Sequence, residues 1–198
     1  MALESGNPAE LMKQGYQARR EGRHADAKAA YAEAVELGRG AVAAGDGPAV
    51  LALALTGLGG IERDLRKVEA ALEHYQEAVA LYRTGGDPLA LAHTVRHVGD
   101  ILRGAGQLEA ALPCYNEALA IYREQPETDA LDLANALRGF ALLQSATGDT
   151  LGAIMSWREA GALYDRVWRE PDSPLSEADL APGVAESARQ IAMLTAAT

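Results

Sequence analysis

The feature that most constrains this chain is a pattern of small and aromatic residues that occurs four times. In each copy a glycine or alanine is followed after twelve residues by an alanine, after sixteen by an aromatic residue and after nineteen by another alanine. The first of these alanines lie 44, 40 and 42 residues apart, a spacing typical of stacked helical hairpins. The four copies are Gly15, Ala27, Tyr31, Ala34; Gly59, Ala71, Tyr75, Ala78; Gly99, Ala111, Tyr115, Ala118; and Ala141, Ala153, Trp157, Ala160.

The composition favours helices throughout. Apolar residues make up 48% of the chain and many of them are alanine, whereas aromatic residues are sparse at 5%. Alanine is the strongest helix former, and strands are built mainly from β-branched and aromatic residues. We therefore expect an all-α fold.

Each copy of the pattern reads as helix A, a short turn and helix B. The units cover about 8–46, 47–86, 87–126 and 127–169. Gly22, Gly106 and Gly148 mark turns inside the hairpins, and Asp87 followed by Pro88 is a strong start signal for the third helix A.

The pattern ends after Trp168. We expect a linker over 170–183, because it contains three prolines and a glycine, and an amphipathic helix over 184–198. That helix either caps the last hairpin, as terminal repeats require, or docks in a second molecule.

These residues resemble the tetratricopeptide repeat over 8–168. The resemblance implies a superhelical stack of four antiparallel helical hairpins, an α-solenoid, followed by a C-terminal capping helix. The period of about 42 residues and the missing proline after helix B resemble the longer variant found in kinesin light chains and bacterial regulatory arrays. The resemblance is strongest in the second and third units, at Leu55, Leu58, Gly59, Ala71, Tyr75, Ala78, Val95, Val98, Gly99, Ala111, Tyr115 and Ala118.

Charge and targeting signals narrow the possible partners. The formal net charge of −10 disfavours nucleic acid, because binding it depends on neutralising phosphates. No apolar run approaches the roughly 20 residues that span a bilayer, and the N-terminus lacks a charged start followed by an apolar stretch. Cys114 is the single cysteine, which fits a reducing compartment. We expect a cytoplasmic protein with neither nucleic acid nor a membrane as partner.

Little in the sequence indicates catalysis. His93 and His97 lie four residues apart on one helix face, but no H-E-x-x-H motif and no third metal ligand accompany them. We therefore expect no metal, no cofactor and no enzymatic activity.

The negative charge is concentrated on the B helices. The helix A segments sum to a charge of +1 and the helix B segments to −7. In the resembling family helix A lines a concave groove, so this groove should be locally positive. We expect it to bind an acidic peptide or partner segment through Tyr16, Arg19, Arg63, His93, Arg96, Asp100, Arg103, Asn135 and Arg138.

The arginines of the A helices have two possible roles, ligand binding and pairing within the chain. Each arginine could instead pair with a local carboxylate, as Arg103 with Asp100 or Arg63 with Glu62.

The family's clamp for chaperone tails needs lysine, asparagine and arginine at positions that hold other residues here. Those positions are Met12, Tyr16, Gly57, His93 and His97.

The resemblance implies a non-enzymatic scaffold or adaptor that binds a partner protein or peptide in the groove. A peptide-responsive sensor that acts on a separate effector is an alternative, and so is a module that self-assembles through its C-terminal helix. We expect a monomer or a weak homodimer.

Overall fold

The computed structural model describes residues 7–169 and 177–196, with the side chains of 177–181 excepted. These two ranges contain nine α-helices and no strand, which confirms the all-α prediction. The helices are α1 (Pro8–Arg20), α2 (His24–Ala43), α3 (Ala49–Asp64), α4 (Val68–Arg83), α5 (Pro88–Gly104), α6 (Leu108–Glu124), α7 (Ala130–Thr147), α8 (Thr150–Arg169) and α9 (Glu177–Ala196).

The helix ends follow local capping chemistry. The side chain of Asn7 accepts a hydrogen bond from the Ala9 amide, and Asp129 caps α7 by accepting from the Leu131 amide at 2.8 Å. Asp87 Oδ1 accepts from the Leu89 amide at 2.8 Å, as its place before Pro88 predicts.

The turns inside the hairpins use a left-handed residue two positions before helix B. Gly22, Gly106 and Gly148 have φ values of 73°, 75° and 82°, which confirms the predicted turns. In the second hairpin Arg66 takes this conformation with φ 59°, although glycine adopts it at lower cost.

The chain forms two compact units, residues 1–98 and 99–198. In the described part of the first unit, the Tyr31 ring lies between α1 and α3 because both helices carry glycine there. A Cβ on Gly15 would lie 2.9 Å from the ring, and one on Gly57 would overlap it. Tyr75 packs against Gly59 in the same way, and its ring stacks on His97 with centroids 5.4 Å apart.

The second unit repeats this packing. A Cβ on Gly139 would lie 2.6 Å from the Tyr115 ring, which also contacts Gly99. Trp157 packs with Ala141 and Ala153. All four repeat aromatics, Tyr31, Tyr75, Tyr115 and Trp157, are buried.

Helix α9 begins at Glu177, seven residues before the predicted start at 184. Of the predicted linker 170–183, residues 170–176 lie outside the described residues and 177–183 are helical, including Pro182 and Gly183. Proline and glycine predict a break, but Gly183 fits against the Tyr164 ring, where a Cβ would lie only 3.0 Å away. Tertiary packing therefore extends the helix beyond the local signal. The last two residues of the predicted capping helix, 197–198, also lie outside the described residues.

Helix α9 packs against α8 and α7 in the place of a further helix A. Glu186 accepts a hydrogen bond from Arg138 Nε at 2.6 Å, at the register where Thr94 on α5 contacts Thr56 on α3. Ile191 and Leu194 pack against the cluster formed by Ala141, Ala153 and Trp157. This packing favours the capping role of α9 over the alternative that it docks in a second molecule.

Candidate functional site

A groove of about 380 Å³ lies in the first unit, between the A helices α1, α3 and the first part of α5. No Asp or Glu is among its lining residues, although the whole chain carries a net charge of −10. The lining residues are Met12, Tyr16, Arg19, Tyr31, Leu53, Thr56, Gly57, Tyr75, His93 and His97.

The groove offers exposed apolar surface beside its cationic group. Tyr16 is 57% exposed and Leu53 is 49% exposed, although both are large apolar or aromatic side chains. The Arg20 guanidinium lies 6.0 Å from the centroid of the Tyr16 ring. A ligand that covers Tyr16 and Leu53 would bury apolar surface, which favours binding.

Arg19 and Arg63 meet at one carboxylate, that of Asp64. Arg19 Nε donates to Asp64 Oδ2 at 2.7 Å, and Arg63 Nη2 lies 3.5 Å from Asp64 Oδ1. Gly60 permits the first contact, because a Cβ there would lie 2.8 Å from Arg19 Nη1. Arg63 also donates from Nη1 to His97 Nδ1 at 2.7 Å, so it contacts a groove residue and Asp64 together.

The pKa values of this ion pair shift in opposite directions. Burial opposes the charged form of Asp64, but the hydrogen bond from Arg19 and the charges of Arg19 and Arg63 hold its pKa below the ordinary value. Burial likewise opposes the charged form of Arg19, but the hydrogen bond to Asp64 and its charge raise the pKa of Arg19.

Asp64 should therefore contribute to stability in a pH-dependent way. A carboxyl group with a lowered pKa in the folded state stabilises the fold above its unfolded pKa of about 3.9, and this contribution is lost as the pH falls through the folded pKa. We expect Asp64→Asn to lower the melting temperature at pH 7 by a few degrees, and the difference from wild type to shrink below about pH 4.

The measurement is circular dichroism melting between pH 7 and pH 2.5. Asp46→Asn, in the exposed turn before α3, removes the same charge and is the control. A difference between Asp64→Asn and wild type that is constant with pH would contradict the assignment.

His97 is the junction of a second cluster at the groove. Its Nε2 lies 3.1 Å from His93 Nε2 and 3.2 Å from Arg96 Nη2. A guanidinium only donates, so Arg63 at Nδ1 and Arg96 at Nε2 both require an accepting nitrogen, and a neutral imidazole supplies only one. His97 stands at the register position that holds Gly57 in the second repeat and Gly139 in the fourth. Those glycines lie against the Tyr31 and Tyr115 rings, whereas His97 stacks its own ring on Tyr75.

The other predicted site residues lie in the second unit and contact side chains of that unit. Tyr115 Oη donates to Asp100 Oδ1 at 2.7 Å, and Arg103 Nε donates to Tyr115 Oη at 3.1 Å. Burial and the charge of Asp100 raise the pKa of Tyr115. Tyr164 Oη donates to Asn135 Oδ1 at 2.8 Å. These contacts hold the polar groups in place within this unit.

Arg138 forms the clearest ion pair of the second unit. It donates from Nε and Nη2 to the two carboxylate oxygens of Glu186, and this hydrogen bonding, together with the charge of Glu186, raises the pKa of Arg138 against the effect of burial. The pair joins α7 to α9, a role that the sequence did not predict.

The predicted arginine contacts are partly right. Arg103 lies 3.8 Å from Asp100, the partner that the local-pair alternative names. The other named pair is wrong, because Arg63 contacts Asp64, whereas the buried Glu62 pairs with Lys28 at 2.6 Å and with Lys67 at 3.7 Å.

The structure brings Tyr16, Arg19 and His93 together in the groove of the first unit, with Arg63 and Arg96 in contact with His97 at its edge. Sequence reasoning left Asp64 and His97 out of the predicted site. The register gave a signal for His97, because the second and fourth repeats hold glycine at its position, but nothing in the local pattern distinguished Asp64 from other carboxylates.

The described residues form neither a metal site nor a membrane-spanning helix. Within residues 7–169 and 177–196 no group of three or more histidine, cysteine, aspartate or glutamate side chains could hold a metal ion. None of the helices in the same ranges is long and apolar enough to cross a bilayer.

Two solved structures share this fold at low sequence identity. BtubC (BKLC) from P. vanneervenii matches with a TM-score of 0.74 and 17% identity, over 95% of this chain and 75% of that one. The nearly identical TPR-like repeats of a Podosopora anserina protein, named as a kinesin light chain, match with a TM-score of 0.63 and 16% identity, over 98% of both chains.

Sequence comparison identifies the family. No curated protein matches the chain as a whole. The profile of the tetratricopeptide repeat matches residues 50–124 and 89–166, which together make up more than half of the chain. The repeats of this family mediate protein–protein interaction. This chain belongs to the tetratricopeptide repeat family.

Proposed function

We propose that this protein is a non-enzymatic scaffold that binds an acidic segment of a partner protein in the groove between α1, α3 and α5. The observation that carries the proposal is the groove lining, which combines Arg19, two histidines and exposed apolar surface and contains no carboxylate. In a chain with a net charge of −10, such a groove attracts the acidic segments that the rest of the surface repels.

A second cavity in the first unit is less suited to an acidic ligand than this groove. It has a volume of about 600 Å³ and lies between α1 and the start of α2, where Glu10 and Asp26 accompany Lys13 and Arg23. Arg23 is already paired there, with Asp26 at 2.6 Å and with Glu21. This mixture of charges gives no preference for an anionic ligand.

A random peptide library displayed on phage tests the proposal without a known partner. We expect the peptides selected by the wild-type protein to be enriched in aspartate and glutamate. Their affinity should fall as salt rises, because at 0.1 M the screening length is about 10 Å.

Leu53 offers a matched pair of variants at the groove. Because its side chain is half-exposed, either charge is tolerated there, and Leu53→Glu should bind the selected peptides about tenfold more weakly than Leu53→Lys. Leu151→Glu, at an exposed position on α8, is the control and should bind like the wild type. Equal affinity of both Leu53 variants would place binding elsewhere and contradict the proposal.

A further inference from the structure

Asp64 occupies the position where a ligand carboxylate would meet the groove arginines. It is the last residue of α3, and its two oxygens contact Arg19 at 2.7 Å and Arg63 at 3.5 Å. All three side chains are accessible to solvent, with exposed fractions of 31% for Arg19, 32% for Arg63 and 27% for Asp64. The chain therefore supplies its own carboxylate to these two arginines.

The two arginines connect this carboxylate to the groove. Arg19 lines the groove and passes over Gly60 to reach Asp64, which is not among the lining residues. Arg63 contacts Asp64 through Nη2 and the groove residue His97 through Nη1. A ligand in the groove therefore approaches guanidinium groups that already contact Asp64, which lies outside the groove lining.

We propose that Asp64 is an intramolecular competitor, which holds Arg19 and Arg63 until the carboxylate of an acidic partner segment replaces it. This inference rests on the proposed function, and it names Asp64 as the residue that sets the affinity of the groove for the acidic segment. An ion pair that is partly open to solvent contributes little to stability, so one carboxylate exchanges readily for another. Arg19 pairs with Asp64 through Nε, and a guanidinium that turns toward the groove offers the same donors to an incoming carboxylate.

Asp64→Asn removes the negative charge of the side chain and keeps its shape. The amide oxygen still accepts a hydrogen bond from Arg19, but the negative charge that competes with the ligand is gone. We expect this variant to bind the acidic peptides selected by the wild type three- to tenfold more tightly at low salt, with the gain reduced at high salt. Asp46→Asn changes the net charge of the chain by the same amount and should leave the affinity unchanged.

If Asp64→Asn is unstable, a measurement on the wild-type protein tests the competitor role instead. The Nε–Hε resonance of Arg19, observed in a nitrogen–proton correlation spectrum, should shift when an acidic peptide is added, because Nε then leaves Asp64. An amidated peptide in which glutamine and asparagine replace the acids should not shift it.

The outcomes separate this inference from the proposed function. Equal or weaker binding by Asp64→Asn, or an Arg19 resonance that stays in place while acidic peptides bind, would overturn the competitor role and leave the groove as a binding site. If neither the wild type nor Asp64→Asn selects acidic peptides, both proposals fail. Tighter binding by Asp64→Asn together with unchanged binding by Asp46→Asn supports the competitor role.

Discussion

Replacing Trp157 by alanine is expected to lower the free energy of unfolding by about 3–5 kcal/mol. The Trp157 side chain is fully buried and forms one cluster with Ala141 and Ala153, against which Ile191 and Leu194 of α9 pack. Alanines have little side chain with which to fill the cavity, so most of its volume would remain. The loss would also loosen α9, which packs against the same cluster.

Urea denaturation followed by circular dichroism measures this loss. Trp168→Ala is the matched control, because Trp168 is 40% exposed near the end of α8 and should cost much less. Trp157→Phe should lose less than about 2 kcal/mol, since it keeps most of the ring and removes an indole N–H for which the described residues supply no acceptor. Equal losses at Trp157 and Trp168 would mean that the repeat register does not set the core.

The repeat register explains why so much of the fold could be predicted. A small residue and an aromatic residue sixteen positions later meet where the two helices of a hairpin cross closely, as Gly99 and Tyr115 do, and four copies of this spacing identify the hairpins. The turn glycines also follow from local chemistry, because a left-handed residue is required between the helices of each hairpin. These signals are local in sequence and recur along the chain, so they can be recognised without a structure.

The contacts of the charged side chains could not be predicted in this way. Several carboxylates lie within reach of a flexible arginine in sequence, and the choice of Asp64 depends on the space above Gly60. The pair between Arg138 and Glu186 spans 48 residues and depends on where α9 packs. The sequence predicted the positions of these arginines on the A helices, and tertiary packing decides which carboxylate each one meets.

The early start of α9 has the same explanation. Pro182 and Gly183 are local signals for a break, and the packing of Gly183 against Tyr164 outweighs them. A residue that reads as a helix breaker in the sequence thus serves as a contact between two helices. The same distinction between local preference and packing gives glycines in this chain opposite effects on stability.

Gly57→Ala and Gly40→Ala should change stability in opposite directions. Both glycines lie inside helices, where alanine is favoured by about 0.5–1 kcal/mol. Nothing lies within 4 Å of a Cβ on Gly40, so Gly40→Ala should gain about that amount. A Cβ on Gly57 would overlap the Tyr31 ring, which cannot move away because Gly15 of α1 contacts its other edge. Gly57→Ala should therefore lose about 1–3 kcal/mol.

Urea denaturation of the two variants against the wild type measures the difference in sign. Gly139→Ala extends the comparison to the second unit, where a Cβ would lie 2.6 Å from the Tyr115 ring, and it should also destabilise the protein. If Gly57→Ala proved as stable as Gly40→Ala, the Tyr31 ring would have room to shift, and the close approach of α3 to Tyr31 would not depend on glycine. A loss at both Gly57 and Gly139, with a gain at Gly40, would show that the glycines against the Tyr31 and Tyr115 rings are required for the spacing between the hairpins that meet there.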